Sequence, residues 1–398
     1  MAELSYSTAF PSFDPADLAQ ARGLFRVLDE HGREVAVDGD EATGQAGVED
    51  EVALRMWRSM VRIRVVDDRL LALQRQGRIG FYGAATGQEA SVIAAAEAME
   101  IRDWIHPALR EGGMALHRGF SLRTWLSHCF GNAEDTCTKG RQMPCHYGSR
   151  AHGYVTLSSV MTTQFPQAVG TAYAMALKHP SPDDRPICFA AIGDGATSEG
   201  DFHVAMNFAG VMRPGGRGLP LILFCQNNQW AISTPGSKQC AAETLAIKAV
   251  GYGLVGVRVD GNDALAVLRV MREAVARARR GEPPVFIEAV TYRVGAHTTS
   301  DDPSRYRDES VTERWRDLDP IARLEAWLGS RGVLSAADVA DWRQACDTEV
   351  RTLLTEVEGI APPALRTLFE DVYAEMPAHL ETQFAAASAQ ASTSVGPA

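Results

Sequence analysis

Apolar residues in this chain follow two rhythms. Short unbroken apolar runs at 187–192 (ICFAAI) and 219–225 suit strands buried on both faces, and further strands are predicted at 254–259 and 285–290. Elsewhere apolar positions recur at helical spacing. Val52, Met56, Met60 and Ile63 predict a helix over about 49–76, ended by Gly77. Further helices are predicted over 88–100, 122–130, 164–178, 241–250 and 264–280, and between the first two runs through Phe202, Met206, Ala209 and Gly210. Helical patterns return at about 319–330, 335–358 and 362–376. Strand and helix alternate, which predicts an α/β protein with a doubly wound, mostly parallel sheet.

With 398 residues the chain suits one large α/β domain with extensions, or two domains. The segment 1–48, rich in Pro, Gly, Ser and acidic residues, reads as an N-terminal arm. The α/β domain is expected over 49–310, a helical C-terminal region over 311–382, and a disordered Ala/Ser-rich tail over 383–398. A net charge of −11 argues against nucleic-acid binding. The cluster Arg277, Arg279 and Arg280 closes a helix, where cations suit the dipole. Seven cysteines, none in a CxxC pair and two in core runs (Cys188 and Cys225), suggest reduced thiols. No apolar run reaches the length of a membrane span. The amino terminus shows neither an apolar signal core nor an Arg-rich transit pattern, its first Arg being Arg22, so a cytoplasmic protein is expected.

The candidate chemistry sits where runs stop. The run 187–192 ends in Gly193-Asp194-Gly195, and the run 219–225 ends in Gln226-Asn227-Asn228. Alone, each is an ordinary turn sequence. Together they place an anionic and a neutral oxygen at neighbouring strand ends, where open α/β sheets bind ligands. Such a pair suits Mg²⁺ shared with a phosphate, and Gly195-Ala196 lets backbone amides approach it; two ordinary turns remain the alternative. Beyond the strand at 285–290, the polar loop 291–307 carries His297, which can reach a phosphate or a reacting group or can be a surface histidine. Arg110 fits a bidentate phosphate clamp or a helix-surface ion pair. The stretch 131–163 lacks periodicity but is rich in aromatic, His and Arg residues, as an ordered functional loop would be.

KGRQMPCHYGS (139–149), SSVMTTQFPQAVGTAYA (158–174), GDGATSEGDFHVAMNFA (193–209), CQNNQWAISTP (225–235) and GAHTTSDDPSRYR (295–307) make the chain recognisable. It resembles the α chain of the two-chain 2-oxo acid dehydrogenases over about residues 50–376, and is most like the branched-chain members. The resemblance implies the thiamin diphosphate-binding fold. It implies Mg²⁺ on Asp194, Asn228 and the carbonyl of Trp230, with Gly193, Gly195, Ala196, Arg110, Gln226 and His297 around the diphosphate. Ser159 and Met161 would lie on the pyrimidine side. Ser158, Val160, Thr163 and Gln164 match a potassium-binding turn. Gln226 stands where relatives often carry Arg, Leu109 where an aromatic residue is common, and 213–217 looks like a surface insertion. Thr298 and Ser304 match positions phosphorylated in mitochondrial relatives.

The implied activity is oxidative decarboxylation of branched-chain 2-oxo acids such as 3-methyl-2-oxobutanoate. The acyl group passes to the lipoyl group of a dihydrolipoyl acyltransferase core, with His297 acting at that transfer. The carboxylate that activates the cofactor would come from a β chain, in a heterotetramer of two α and two β chains. Competing readings are a pyruvate or acetoin dehydrogenase α chain, and a non-catalytic phosphate-binding subunit. The absence of Walker and dinucleotide fingerprints speaks against the last.

Overall fold

The computed structural model describes residues 4–38 and 47–394. Its frame is a seven-stranded sheet in the order β1-β2-β8-β9-β5-β4-β3, every neighbouring pair parallel. The strands are β1 (Tyr6–Ser7), β2 (Leu24–Phe25), β3 (Trp104–His106), β4 (Cys188–Gly193), β5 (Leu221–Asn227), β8 (Val255–Asp260) and β9 (Val285–Val290). A separate antiparallel hairpin joins β6 (Trp230–Ala231) to β7 (Thr234–Pro235). The helices are α1 (Ala19–Arg22), α2 (Asp50–Arg75), α3 (Glu89–Glu97), α4 (Gly112–His117), α5 (Leu122–Phe130), α6 (Gln164–Lys178), α7 (Gly200–Val211), α8 (Ala264–Arg280), α9 (Glu309–Arg316), α10 (Pro320–Ser330), α11 (Ala336–Glu358), α12 (Thr367–Glu370) and α13 (Ala378–Ser394).

Successive strand side chains point to opposite faces, and this divides the core in two. Phe189, Ala191, Ile222, Phe224, Ile287 and Ala289 pack with α2, α3 and α8. Cys188, Ala190, Ile192, Leu221, Leu223, Cys225 and Phe286 pack with α6 and α7. Helices on both faces make the sheet doubly wound, as the alternation predicts. Register aligns Gly193 with Gln226, Gln226 with Ala289, and Asn227 with Val290. Three strands therefore end level, and their turns converge.

The arm is built into this frame. The Asp263 carboxylate caps α8 through Leu265 and Ala266, and also accepts the N–H groups of Val27 and Leu28 at 2.7 and 2.6 Å. Arg323 on α10 pairs with Asp260 at 2.8 Å and donates to the carbonyls of Leu28 and Asp29.

Several expectations need correction. The arm adds two strands to the sheet, and β3, a strand the apolar pattern did not predict, supplies its other edge. The helix expected over 241–250 is a 3₁₀ turn at Ala246–Tyr252, entered where the buried Glu288 carboxylate accepts the Ala246 N–H. Of 362–376, only Thr367–Glu370 is α-helical; Pro363 pushes the preceding Pro362 out of the helical region. The tail expected to be disordered from 383 is helical to Ser394, with Phe384 packed on Phe369 and under the Arg366 guanidinium. Residues 1–3, 39–46 and 395–398 of the expected arm and tail lie outside the described residues. All seven cysteines are unpaired. Among the described residues no helix is long and apolar enough to cross a membrane.

Candidate functional site

The GDG turn leaves β4 at Gly193 and enters a 3₁₀ turn over Asp194–Ser198 that leads to α7. A Cβ on Gly193 would meet open space. A Cβ on Gly195 would lie 2.3 Å from Ala231 Cβ, so the β6–β7 hairpin approaches this turn as only glycine allows. Asp194 is 4% exposed, and neither carboxylate oxygen has a hydrogen-bond partner. Burial lifts its pKa to about 7, against weaker downward pulls from its own backbone amide and the Arg293 guanidinium. A carboxylate left bare in a buried site is costly unless a cation or a proton completes it.

The two asparagines at the end of β5 differ in role. Asn227 donates to the buried Glu288 at 2.7 Å and is structural. Asn228 is buried beside the site; its Oδ1 accepts the Trp230 N–H at 3.3 Å, and its Nδ2 donates to Gln88 at 3.1 Å. Asp194, Asn228 and the Trp230 backbone thus offer oxygens of the kind a hard divalent cation takes. Among the described residues no group of three or more His, Cys, Asp or Glu side chains is placed to hold a metal. A cation here would therefore rest on one carboxylate plus neutral oxygens, leaving positions for an anionic ligand.

The third strand end supplies positive charge. Arg110 is buried, donates to the carbonyls of Ala84 and His297, and lies 3.5 Å from His297 Nδ1. Arg293, just past β9, reaches the same Nδ1 at 3.5 Å and donates to the Ile232 carbonyl and the Tyr306 hydroxyl at 2.6 and 2.9 Å. Burial and the neighbouring Arg293 lower the Arg110 pKa to about 10. Burial, then the two guanidiniums, hold His297 down to about 4. Two donors facing Nδ1 make it an acceptor, so the neutral imidazole carries its proton on Nε2. Asp301 accepts the His297 backbone N–H at 2.7 Å and the Tyr306 hydroxyl, closing the loop 297–306 on itself.

The predicted potassium turn lies alongside. Thr162, at φ +69, donates to the Ala196 carbonyl at 3.0 Å and ties this turn to the GDG turn. Gln164 Nε2 donates to the Ala191 carbonyl at 2.8 Å, while its buried Oε1 has no partner. Ser158 accepts the Val160 N–H, and Thr163 N–H bonds the Val160 carbonyl. Ser159 contacts His146 through its hydroxyl, and Met161 is 46% exposed. Gln226 is placed differently: its amide accepts from Ser91 and donates to Glu111, so it reaches the site only through Glu111, which bonds the Arg110 N–H. Thr298 and Ser304 lie on the same loop as His297.

Sequence reasoning missed Arg293, Gln88 and the Asp67 anchor. Buried Asp67, its pKa raised to about 7 by burial, accepts from the Tyr82 hydroxyl and the Ala85 N–H at 2.7 Å each, and so holds the Gly-rich loop 80–87 (GFYGAATG) against Arg110. For Gln88 a signal existed, a polar residue closing a Gly-rich loop; for Arg293 it was its place directly after a buried strand.

The chain matches the family described as "Dehydrogenase E1 component" over residues 57–364. It is 41% identical over 361 residues to the 2-oxoisovalerate dehydrogenase subunit alpha 2, mitochondrial, of Arabidopsis thaliana, covering 90% of this chain and 73% of the relative. It is 39% identical to the corresponding mitochondrial alpha subunit of Caenorhabditis elegans, covering 92% of this chain and 82% of the relative. With the Homo sapiens subunit, also named mitochondrial, identity is 39% over 90% of this chain and 78% of the relative. These mitochondrial relatives overturn the expectation of a cytoplasmic protein.

Proposed function

The chain belongs to the dehydrogenase E1 component family, and from that we propose that its strand-end site holds thiamin diphosphate through Mg²⁺ for decarboxylation of branched-chain 2-oxo acids. As a family α chain it works with a β chain and serves the acyltransferase core of a multienzyme complex; we take the assembly to be two α and two β chains. The observation that carries the reading is Asp194, whose two buried, partnerless oxygens lie at a strand end level with that of Asn228.

Asp194, Asn228 Oδ1 and the Trp230 carbonyl would hold Mg²⁺. Gly193, Gly195, Ala196, Arg110 and His297 would surround the diphosphate, with Ser159 and Met161 toward the pyrimidine. The bound cofactor supplies the nucleophile and the electron sink for decarboxylation. Arg110 and Arg293 would neutralise the anion, which offsets the guanidinium share of the push that holds His297 near 4, burial being the larger share. His297 Nε2 would give or take a proton as the acyl group passes to the lipoyl group. The Gln164 Oε1 acceptor supports a K⁺ in the turn formed by Ser158, Val160, Thr163 and Gln164.

The test is co-expression with the β chain, then titration of thiamin diphosphate with and without Mg²⁺, and initial rates on 3-methyl-2-oxobutanoate and pyruvate. Mg²⁺-dependent binding and preference for the branched acid are expected. A preference for pyruvate would overturn the substrate, and no binding would overturn the site.

A further inference from the structure

Gln88 is fully buried at the start of α3, yet its side chain does not cap that helix. Its amide turns to the strand ends and meets Asn228. Amide orientations are set by the bonds around them, and here one partner is unambiguous. The Trp230 N–H can only donate, so the atom of Asn228 facing it, at 3.3 Å, is the oxygen. The nitrogen of Asn228 then faces Gln88, and the Gln88 atom 3.1 Å away must be the acceptor. This fixes the last group in the series: Gln88 Nε2, a buried N–H donor with no partner. A buried amide donor left unpaired is costly, and it gains most from an anionic acceptor.

We infer that Gln88 is a positioning residue with two faces: its Oε1 holds Asn228 with the oxygen toward the cation, and its Nε2 donates to an anionic oxygen of the metal-bound diphosphate. This rests on the cofactor reading above. The second face follows from the first, because accepting from Asn228 leaves Gln88 only its nitrogen to present. The loop that carries Gln88 is fixed independently. Gly87, at φ +92, packs with no room for a Cβ against Val294 and the Tyr292 carbonyl, and its own carbonyl accepts from Thr291 at 2.9 Å. Gln88 is therefore held at a set distance from the end of β9 as well as that of β5.

The test compares the parent with Gln88→Ala and Gln88→Glu, each assembled with the β chain. Mg²⁺, thiamin diphosphate and inorganic diphosphate are titrated separately by calorimetry, with melting temperatures as a check on folding. Losing an outer partner of a metal ligand typically weakens metal affinity about 10–100-fold, and Gln88→Ala should lose that much for Mg²⁺ and for the cofactor. Gln88→Glu is nearly isosteric, so it tests the proposal even if the alanine variant assembles poorly. Its carboxylate still accepts from Asn228 but cannot donate, so it should keep Mg²⁺ affinity and lose diphosphate and cofactor affinity. Parental affinities in Gln88→Ala, or equal losses of Mg²⁺ and diphosphate in Gln88→Glu, would overturn the role. A parent that itself binds no thiamin diphosphate with Mg²⁺ overturns the cofactor reading and this role with it, an outcome distinct from a binding parent with indifferent variants.

Discussion

Replacing Asp194 by Asn separates a metal ligand from a structural carboxylate. Burial raises the Asp194 pKa from 3.8 to about 7. A carboxyl that binds its proton more tightly folded than unfolded makes folding less favourable as pH climbs between those two values, and the penalty is complete above the higher one. At 1.36 kcal/mol per pH unit, the metal-free protein carries about 4 kcal/mol of penalty at pH 8 and about 2 kcal/mol at pH 5. An asparagine amide in the same place has its own desolvation cost of about 1–3 kcal/mol, and that cost does not change with pH. Asp194→Asn should therefore gain about 2 to 3 kcal/mol on the parent between pH 5 and pH 8, whatever the constant offset. Melting curves of the metal-free assembled protein at the two pH values measure this gain. Adding Mg²⁺ and thiamin diphosphate at 100 times Kd should stabilise the parent by about 2.7 kcal/mol and leave the variant unmoved. A constant offset at both pH values, or a cofactor shift retained in the variant, would refute the reasoning.

Three further outcomes are expected. Gly195→Ala sets a Cβ 2.3 Å from Ala231; the hairpin must shift, at a cost of about 1–3 kcal/mol in melting experiments, and cofactor affinity should fall with it. Exchanging K⁺ for Na⁺ should lower the melting temperature of the parent but not of Gln164→Met, which lacks the partnerless Oε1; equal responses would remove the potassium turn. His297→Ala should spare decarboxylation assayed with an artificial electron acceptor more than lipoyl acylation, and an equal loss in both assays would end its role at the transfer step.

The sheet centre was legible because β4 and β5, buried on both faces, are written as unbroken apolar runs, and the polar residues that end them stand out. Asp194, Asn228 and His297 were singled out as candidates in that way. Arg293 was not, since an arginine after a strand reads as a solvated side chain until Ile232 and Tyr306 are seen to hold it. Gln226 was assigned by resemblance alone, and its bonds to Ser91 and Glu111 depend on which residues face it across the fold. β1 and β2 span two residues each, too few to show a period; only their pairing with each other and with Val259 defines them. The C-terminal helix was hidden by its Ala/Ser composition, which serves disorder and helix alike.

The Asp263 bonds to Val27 and Leu28 also bear on how the chain is made. The two partners are separated by 236 and 235 residues, and the Arg323 contact with Asp29 spans 294. On a ribosome the arm emerges long before anything exists to receive it. Translation at about 5–20 residues per second leaves β2 and its apolar neighbours waiting for tens of seconds. Insertion of the arm is thus a late step, and a nascent chain arrested before Asp263 should keep this segment open to proteases and chaperones even when α2 to α7 are complete.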